Sequence, residues 1–197
     1  MEADQSADNR PLIVGIGGSS RATSLTDELL RAALADANAH GARTAAFGGA
    51  FLARLPIYAA DEEMYGEDAA ELTRAVAAAD GLIVATPGYH GAMSGLVKNG
   101  LDHLEFLRDD LRPYLEGRAV GVIVTAAGWQ ACGTTLVSMR SAIHALRGWP
   151  TPFGLTVNSA EPVFAEGGAL LDHIAGALRL VSRQVVDFAT GSAHRRV

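Results

Sequence analysis

The chain has 197 residues, a formal net charge of −6, 49% apolar and 19% charged residues, which suits one sizeable globular core and is short for two domains. That acidic balance argues against a protein that wraps nucleic acid, because neutralising phosphates takes a basic surface. Cys132 is the only cysteine, excluding an intrachain disulfide and a thiolate-rich metal site, and no apolar run approaches the roughly 20 residues of a membrane span.

The opening MEADQSADNR is polar and acidic and lacks the apolar stretch of a secretory signal. The expectation is a cytoplasmic protein with a disordered lead over residues 1–10, a single domain over 11–190 and a polar tail over 191–197. A first strand is expected over residues 11–16. Leu25, Leu29, Leu30, Ala33 and Leu34 recur at helical spacing and predict a helix over 24–38, stopped by His40-Gly41. A weaker strand (43–47) precedes a loop with Gly48, Gly49, Pro56 and Tyr58, and an acidic segment becomes helical over 68–79. The run GLIVAT predicts a strand over 81–86, closed by Pro87, Gly88, Tyr89, His90 and Gly91. A third helix follows over 94–110, with Lys98 and Asp102 as an i,i+4 pair. Next come a strand (119–125), a glycine-bearing turn (126–133), a helix (134–146), a strand (153–157) and a final helix (169–189). Strands alternating with helices predict an α/β, three-layer, doubly wound parallel sheet of five strands.

Open parallel sheets bind ligands beyond the carboxyl ends of their strands. Glycine-rich turns follow the first, third and fourth strands, and in a flavodoxin-like order (2-1-3-4-5) those strands are central neighbours whose turns converge on one crevice. The first turn, GGSSRATSLTD, offers hydroxyls, one guanidinium and a helix N-terminus, which together suit a phosphate. A dinucleotide-type GxGxxG starting at Gly15 and Gly17 meets Ser20 at its third glycine, and Phe47-Gly48-Gly49 stands where a ribose-binding acid belongs. A Walker loop is excluded, since Lys98 is the only lysine. The surviving reading is a monophosphate held by Ser19, Arg21, Ser24 and backbone N–H groups, as flavin mononucleotide (FMN) requires. The plainer account has Ser24 capping the helix with Asp27 completing a capping box, which leaves Arg21 and the other hydroxyls unexplained.

In the later turns, Tyr89 either packs against a flat heterocycle or is an ordinary loop tyrosine. His90 serves as proton donor, as a prop for a ring, or as a solvated loop residue. Gly128 and its neighbours offer backbone N–H groups to the negative N1–O2 edge of a reduced flavin, or simply form a turn that opens a helix. Cys132 reads as inert packing, and Trp129 as a flavin shield or a subunit contact.

The motif GSSRATSL (residues 18–25) resembles the Gly-Ser-x-Arg-x-x-Ser phosphate loop of the NAD(P)H-dependent FMN reductases. TPGYHGAMSGLVKNGLDHL resembles that family's Thr-Pro-Glu-Tyr-Asn-Gly…Gly-x-Leu-Lys-Asn-x-Leu-Asp segment. The resemblance implies that Ser19, Arg21, Ser24 and Leu25 line the phosphate site, and that Pro87, Gly88, Tyr89, His90 and Gly91 take the isoalloxazine-contact positions, with Thr125 and Gly128 in the third loop. Gly88 replaces the frequent glutamate and His90 the frequent asparagine, and the third loop matches the family's Ser-x-Gly-Gly only loosely. The implied cofactor is FMN, with NADPH or NADH as hydride donor and no catalytic side chain or metal required. The implied acceptor is free flavin passed to a flavin-dependent monooxygenase, or a quinone-type or azo small molecule. Family members are commonly homodimers or homotetramers, so Leu96, Val97, Leu101, Leu104 and Leu107 either meet a second chain or cover the sheet. The rival readings are a flavodoxin-type electron carrier without nicotinamide oxidation and a flavin-free domain that borrows the fold.

Overall fold

Strand runs rich in valine and isoleucine carry core-facing side chains on both faces, as a parallel sheet covered on both sides requires. A computed structural model describes residues 9–21, 23–60 and 66–193. The expected lead (residues 1–8), the tail end (194–197) and the start of the acidic segment (61–65) lie outside the described residues. The parallel strands β1 (Leu12–Gly17), β2 (Arg43–Phe47), β3 (Gly81–Tyr89) and β5 (Ala119–Ala126) run in the order β2-β1-β3-β5. The fifth place is shared by β6 (Trp149–Pro150) and β7 (Leu155–Asn158). Helices α1 (Leu25–Ala39) and α6 (Asp172–Ala193) cover one face against Ile13, Ile83 and Ile123. The other face holds α3 (Gly66–Ala78), α4 (Gly95–Asp102) and α5 (Trp129–Ala145) against Val14, Ile16, Leu82, Val84 and Val122. Each such aliphatic side chain contributes about 1.5–3 kcal/mol when buried.

Five elements differ from the sequence reading, each for a local reason. β3 does not stop at Thr86 but continues through Pro87 to Tyr89, then folds back onto β4 (Ala92–Met93). Its ladder to β1 ends at Gly17↔Ala85, so no strand on that side needs the N–H that proline lacks. α5 starts at Trp129, taking in most of the stretch read as a turn, with Gly133 on an open face where a Cβ would meet nothing. The third helix ends early and tightens into a 3-10 turn, His103–Leu107. A short helix, α2 (Gly49–Leu52), occupies the loop after β2. Where one last strand is expected over 153–157, the structure has two short ones: the Trp149 and Thr151 N–H groups donate to the Arg118 and Val120 carbonyls of the β5 segment, whereas the Phe153 N–H leaves the ladder for the Gln184 side chain. Across the break Thr151 donates its hydroxyl proton to the Phe153 carbonyl at 2.8 Å, and Arg140 of α5 donates to the Thr151 and Pro152 carbonyls at 3.1 and 2.7 Å.

Val97, Leu101, Leu104 and Leu107 are buried in the core with Leu96 packed against it, so they cover the sheet. Lys98 and Asp102 do pair, at 2.6 Å. Among the described residues no helix is long and apolar enough to cross a membrane.

Arg118, just before β5, is 0% exposed. Its guanidinium donates to the Ala79, Ala77 and Tyr114 carbonyls at 2.9, 2.7 and 3.0 Å, closing the C-terminal end of α3 over the sheet. Arg118→Met is expected to cost about 1–3 kcal/mol, because the part-buried Ala77 and Tyr114 carbonyls lose this donor and the buried Ala79 carbonyl keeps only Arg112. A denaturant midpoint unchanged from wild type would show that the guanidinium is dispensable.

Candidate functional site

The corner after β1 begins with Gly17 and Gly18, at φ +144° and +119°. The Gly18 N–H donates to the Ala85 carbonyl of β3 at 3.1 Å, and a Cβ on Gly17 would collide with that carbonyl. The glycines therefore let the chain leave the sheet pressed against β3. Ser24 then caps α1, its hydroxyl oxygen accepting the Asp27 N–H at 3.2 Å. Asp27 does not return the bond as a capping box requires. Its carboxylate instead accepts the Ser19 N–H at 3.0 Å through one oxygen and the Gly49 N–H at 2.9 Å through the other. Gly49 comes close enough that a Cβ there would strike the Ser19 carbonyl. The carboxylate thus ties the loop after β1 to the start of α2.

This loop borders a cavity of about 310 Å³ lined by Ser19, Ser20, Arg21, Ser24, Arg31 and Gly49, with Asp27 and α2 closing its side. Ser19 and Ser24 are buried and the two arginines exposed. Among the described residues no hydrogen bond or ion pair holds the Arg21 or Arg31 guanidinium. Two uncommitted cations, three hydroxyls and a helix N-terminus suit an anion. The sequence reading missed Arg31, although the four-residue step from Asp27 already puts it on the same helix face.

The second corner is the hairpin from β3 to β4. His90 (φ +52°) and Gly91 (φ +84°) form its two-residue turn, the pattern in which both central residues are left-handed. Tyr89 stands at the strand tip, 45% exposed. A Cβ on Gly88 would lie 2.6 Å from the Thr135 hydroxyl of α5. Where the resembling motif has glutamate, this chain therefore lets α5 approach the hairpin. The buried Thr86 hydroxyl oxygen accepts the Ser94 N–H at 3.0 Å, and Ser94 in turn caps α4.

The third corner joins β5 to α5 at Gly128, φ +123°. Its N–H donates to the Asn158 side-chain carbonyl at 2.8 Å and to the Ala126 carbonyl at 3.1 Å, which leaves its neighbours at the start of α5 as the donors open to a flavin edge. No side chain caps α5, which leaves its first-turn N–H groups directed at the neighbouring space. Thr125 is likewise committed: its hydroxyl lies 2.6 Å from that of Thr26, joining β5 to α1. His90, Gly91, Ala127, Gly128, Trp129 and Thr134 line a cavity of about 540 Å³ at these two corners.

The structure therefore gathers Ser19, Arg21 and Ser24 at one cavity and His90, Gly91 and Gly128 at another, and the two share no lining residue. Of the remaining sequence candidates, Pro87 and Thr125 are buried in strands, and Leu25 packs against the core under α1. Gly88 and Tyr89 border the hairpin without lining either cavity. Cys132 is buried, its thiol 3.5 Å from the Val157 carbonyl, and burial pushes its pKa up.

Comparison with known proteins adds three findings. A family model described as NADPH-dependent FMN reductase matches residues 11–161. The chain is 28% identical over 125 residues to an FMN-dependent NADPH-azoreductase of Staphylococcus haemolyticus, covering 62% of this chain and 63% of the relative. It is also 28% identical over 130 residues to one of Staphylococcus aureus, covering 64% and 65%. The matched region thus spans a little under two thirds of these curated relatives. Among solved structures, an apo NADH:FMN oxidoreductase, EmoB, superposes with a TM-score of 0.70 at 25% identity over 92% of this chain and 89% of its own. FerB, an NAD(P)H:acceptor oxidoreductase from Paracoccus denitrificans, gives 0.73 at 18% identity over 92% and 98%, a likeness of fold.

Two outcomes are expected from these contacts. Asp27→Ala removes two charge-assisted bonds, at a cost of about 2–4 kcal/mol, and speeds amide hydrogen exchange at Ser19 and Gly49; unchanged protection there would contradict the clamp. Cys132 is expected to react with a thiol reagent only after unfolding, so rapid labelling of the native protein would refute its burial.

Proposed function

Because the chain belongs to the NADPH-dependent FMN reductase family, we propose that it binds FMN, reduces it with NADPH or NADH, and passes the electrons to a small aromatic acceptor. The carrying observation is the β1–α1 corner, where buried Ser19 and Ser24, the helix N-terminus and an uncommitted Arg21 converge. The donor set fits a phosphate monoester. The carboxylate of Asp27 sits beside it, but both its oxygens are engaged by backbone N–H groups, which spread its charge into the loop.

When bound, FMN supplies two-electron transfer between the dihydronicotinamide and the acceptor. The protein's share is binding, orientation and exclusion of water. In this reading Arg21, Ser19, Ser20 and Ser24 hold the phosphate, with Arg31 adding charge from the next turn of α1. The hairpin residues Pro87 to Gly91 border the ring, and the rigid His90-Gly91 turn fixes where Tyr89 stands. The uncapped first turn of α5 directs its N–H groups at the ring's polar edge, the role the sequence suggests for Gly128 and its neighbours. No side-chain acid or base is required for the first half-reaction, since dihydronicotinamide and ring need only be held face to face at close range.

Azo compounds and quinones suit the apolar surroundings of Trp129, and the two azoreductase relatives favour that acceptor class. Free flavin delivered to a monooxygenase is the other acceptor consistent with the cofactor. The exposed Tyr89 and Trp129 at the rim support a homo-oligomer in which a second copy covers this side, and a cytoplasmic location is part of the same reading.

Anaerobic stopped-flow mixing of the FMN-loaded protein with NADPH or NADH is expected to bleach the flavin absorbance, and the bleached protein to recover on addition of a quinone. Failure of both nucleotides to bleach it would overturn the reductase reading in favour of a one-electron carrier. Arg21→Ala is expected to weaken FMN by ~10- to 100-fold while leaving riboflavin nearly unaffected. Equal losses for the two ligands would remove the phosphate assignment.

A further inference from the structure

Trp129 belongs to two cavities at once. It lines the cavity beside His90 and Gly91, and also a slot of about 280 Å³ along β7 and α6, walled by Phe153, Leu155, Val157 and Ile174. Among the described residues β7 pairs only with β5, so the slot runs along the edge of the sheet. The indole between the two spaces is 57% exposed and gains little fixity from packing. One bond directs it: its Nε1–H donates to Glu161 Oε1 at 2.7 Å.

The same carboxylate oxygen accepts the Asn158 side-chain N–H at 2.8 Å. Asn158 Oδ1 in turn accepts the Gly128 N–H at 2.8 Å and the Ala160 N–H at 3.1 Å. A single oxygen of Glu161 therefore anchors the indole directly and, through Asn158, the glycine on which α5 turns. A charge-assisted bond of this kind, exposed to solvent, favours one indole orientation over others by a few-fold to about tenfold.

We propose that Glu161 is a positioning residue, holding Trp129 as a partition between the acceptor cavity and the edge slot and so limiting the length of acceptor that the enzyme reduces. The inference rests on the reductase reading above and deepens it by naming the substrate class. With the partition in place the acceptor space suits a single ring or a fused ring system. With the indole released, the spaces join, and an elongated bis-aryl acceptor can lay its second ring in the slot against Phe153 and Ile174.

The test uses full-length FMN-loaded protein in a Trp149→Phe background, so that Trp129 is the only tryptophan. The measured quantity is the ratio of kcat/KM for an azo-linked bis-aryl dye to that for 1,4-benzoquinone, with NADPH as donor. The quinone takes up one NADPH and one proton to give the hydroquinone. The azo bond takes up two NADPH and two protons and is cleaved to two aryl amines. Comparing each variant with the parent cancels the intrinsic reactivity of the two acceptors. Glu161→Ala is expected to raise the ratio about 10-fold, the scale of one lost steric contact, and to lower the fluorescence anisotropy of Trp129. Glu161→Gln keeps a carbonyl oxygen able to take both donors and is expected to restore the parent ratio and anisotropy. Trp129→Phe, which deletes the N–H while leaving Glu161 in place, is expected to raise the ratio too and decides the matter should Glu161→Ala fail to fold. An active parent whose ratio is unmoved by both Glu161→Ala and Trp129→Phe overturns the partition alone, as does a Glu161→Gln variant that behaves like alanine. A parent that oxidises no NADPH overturns the reductase reading, and this inference with it.

Discussion

The β1–α1 corner depends on one carboxylate. Asp27 lies in the first turn of α1, where a negative charge is favoured by the helix dipole, and it spends that charge on two backbone N–H groups from different connections. Without it, the loop carrying Ser19 to Ser24 is tied down by glycines and a single cap. With it, the loop cannot move without also displacing the start of α2. An anion-binding loop must present donors without reorganising when the anion arrives, and a built-in carboxylate achieves that by occupying the donors that face inward. The outward side is left to the hydroxyls and to Arg21 and Arg31.

The same division between spent and available groups recurs at the other two corners. Gly128 gives its N–H to Asn158, and Thr125 and Thr26 engage each other, so the β5 end is locked to α1 and to the loop after β7. Gly88 lets α5 come within contact of the hairpin, and His90 accepts a left-handed backbone to make the turn short. A residue other than glycine or asparagine in that conformation costs about 1 kcal/mol or more, a strain usually sustained where geometry matters. At these corners the Asp27 carboxylate, the Gly128 N–H and the Thr26–Thr125 pair are committed to structure, while Arg21 and Arg31 face the first cavity.

This division explains which site residues were legible. Ser24 as a cap, the glycine turns at three strand ends and the resemblance of the phosphate loop all lie in contiguous sequence, where local chemistry decides the outcome. The capping-box role for Asp27 and the free N–H of Gly128 were reasonable local readings. The Asp27 carboxylate and the Gly128 N–H instead engage partners 22 and 30 residues away, Gly49 and Asn158. Arg118, whose role is to close the end of α3, carries no local signature at all. Neither does Glu161, which matters only because β7 ends beside α5.

By itself the sequence determined the alternation of strands and helices, the parallel doubly wound sheet and the phosphate-type turn, because hydrophobic periodicity and turn chemistry act within a few residues. Only the tertiary structure decided that β3 runs on through a proline, that a separate short strand, β6, precedes the last one, and that the expected crevice is framed as two cavities. Those outcomes rest on which backbone groups find partners across the sheet, and a hydrogen bond between residues far apart in the chain leaves no pattern in the stretch around either one.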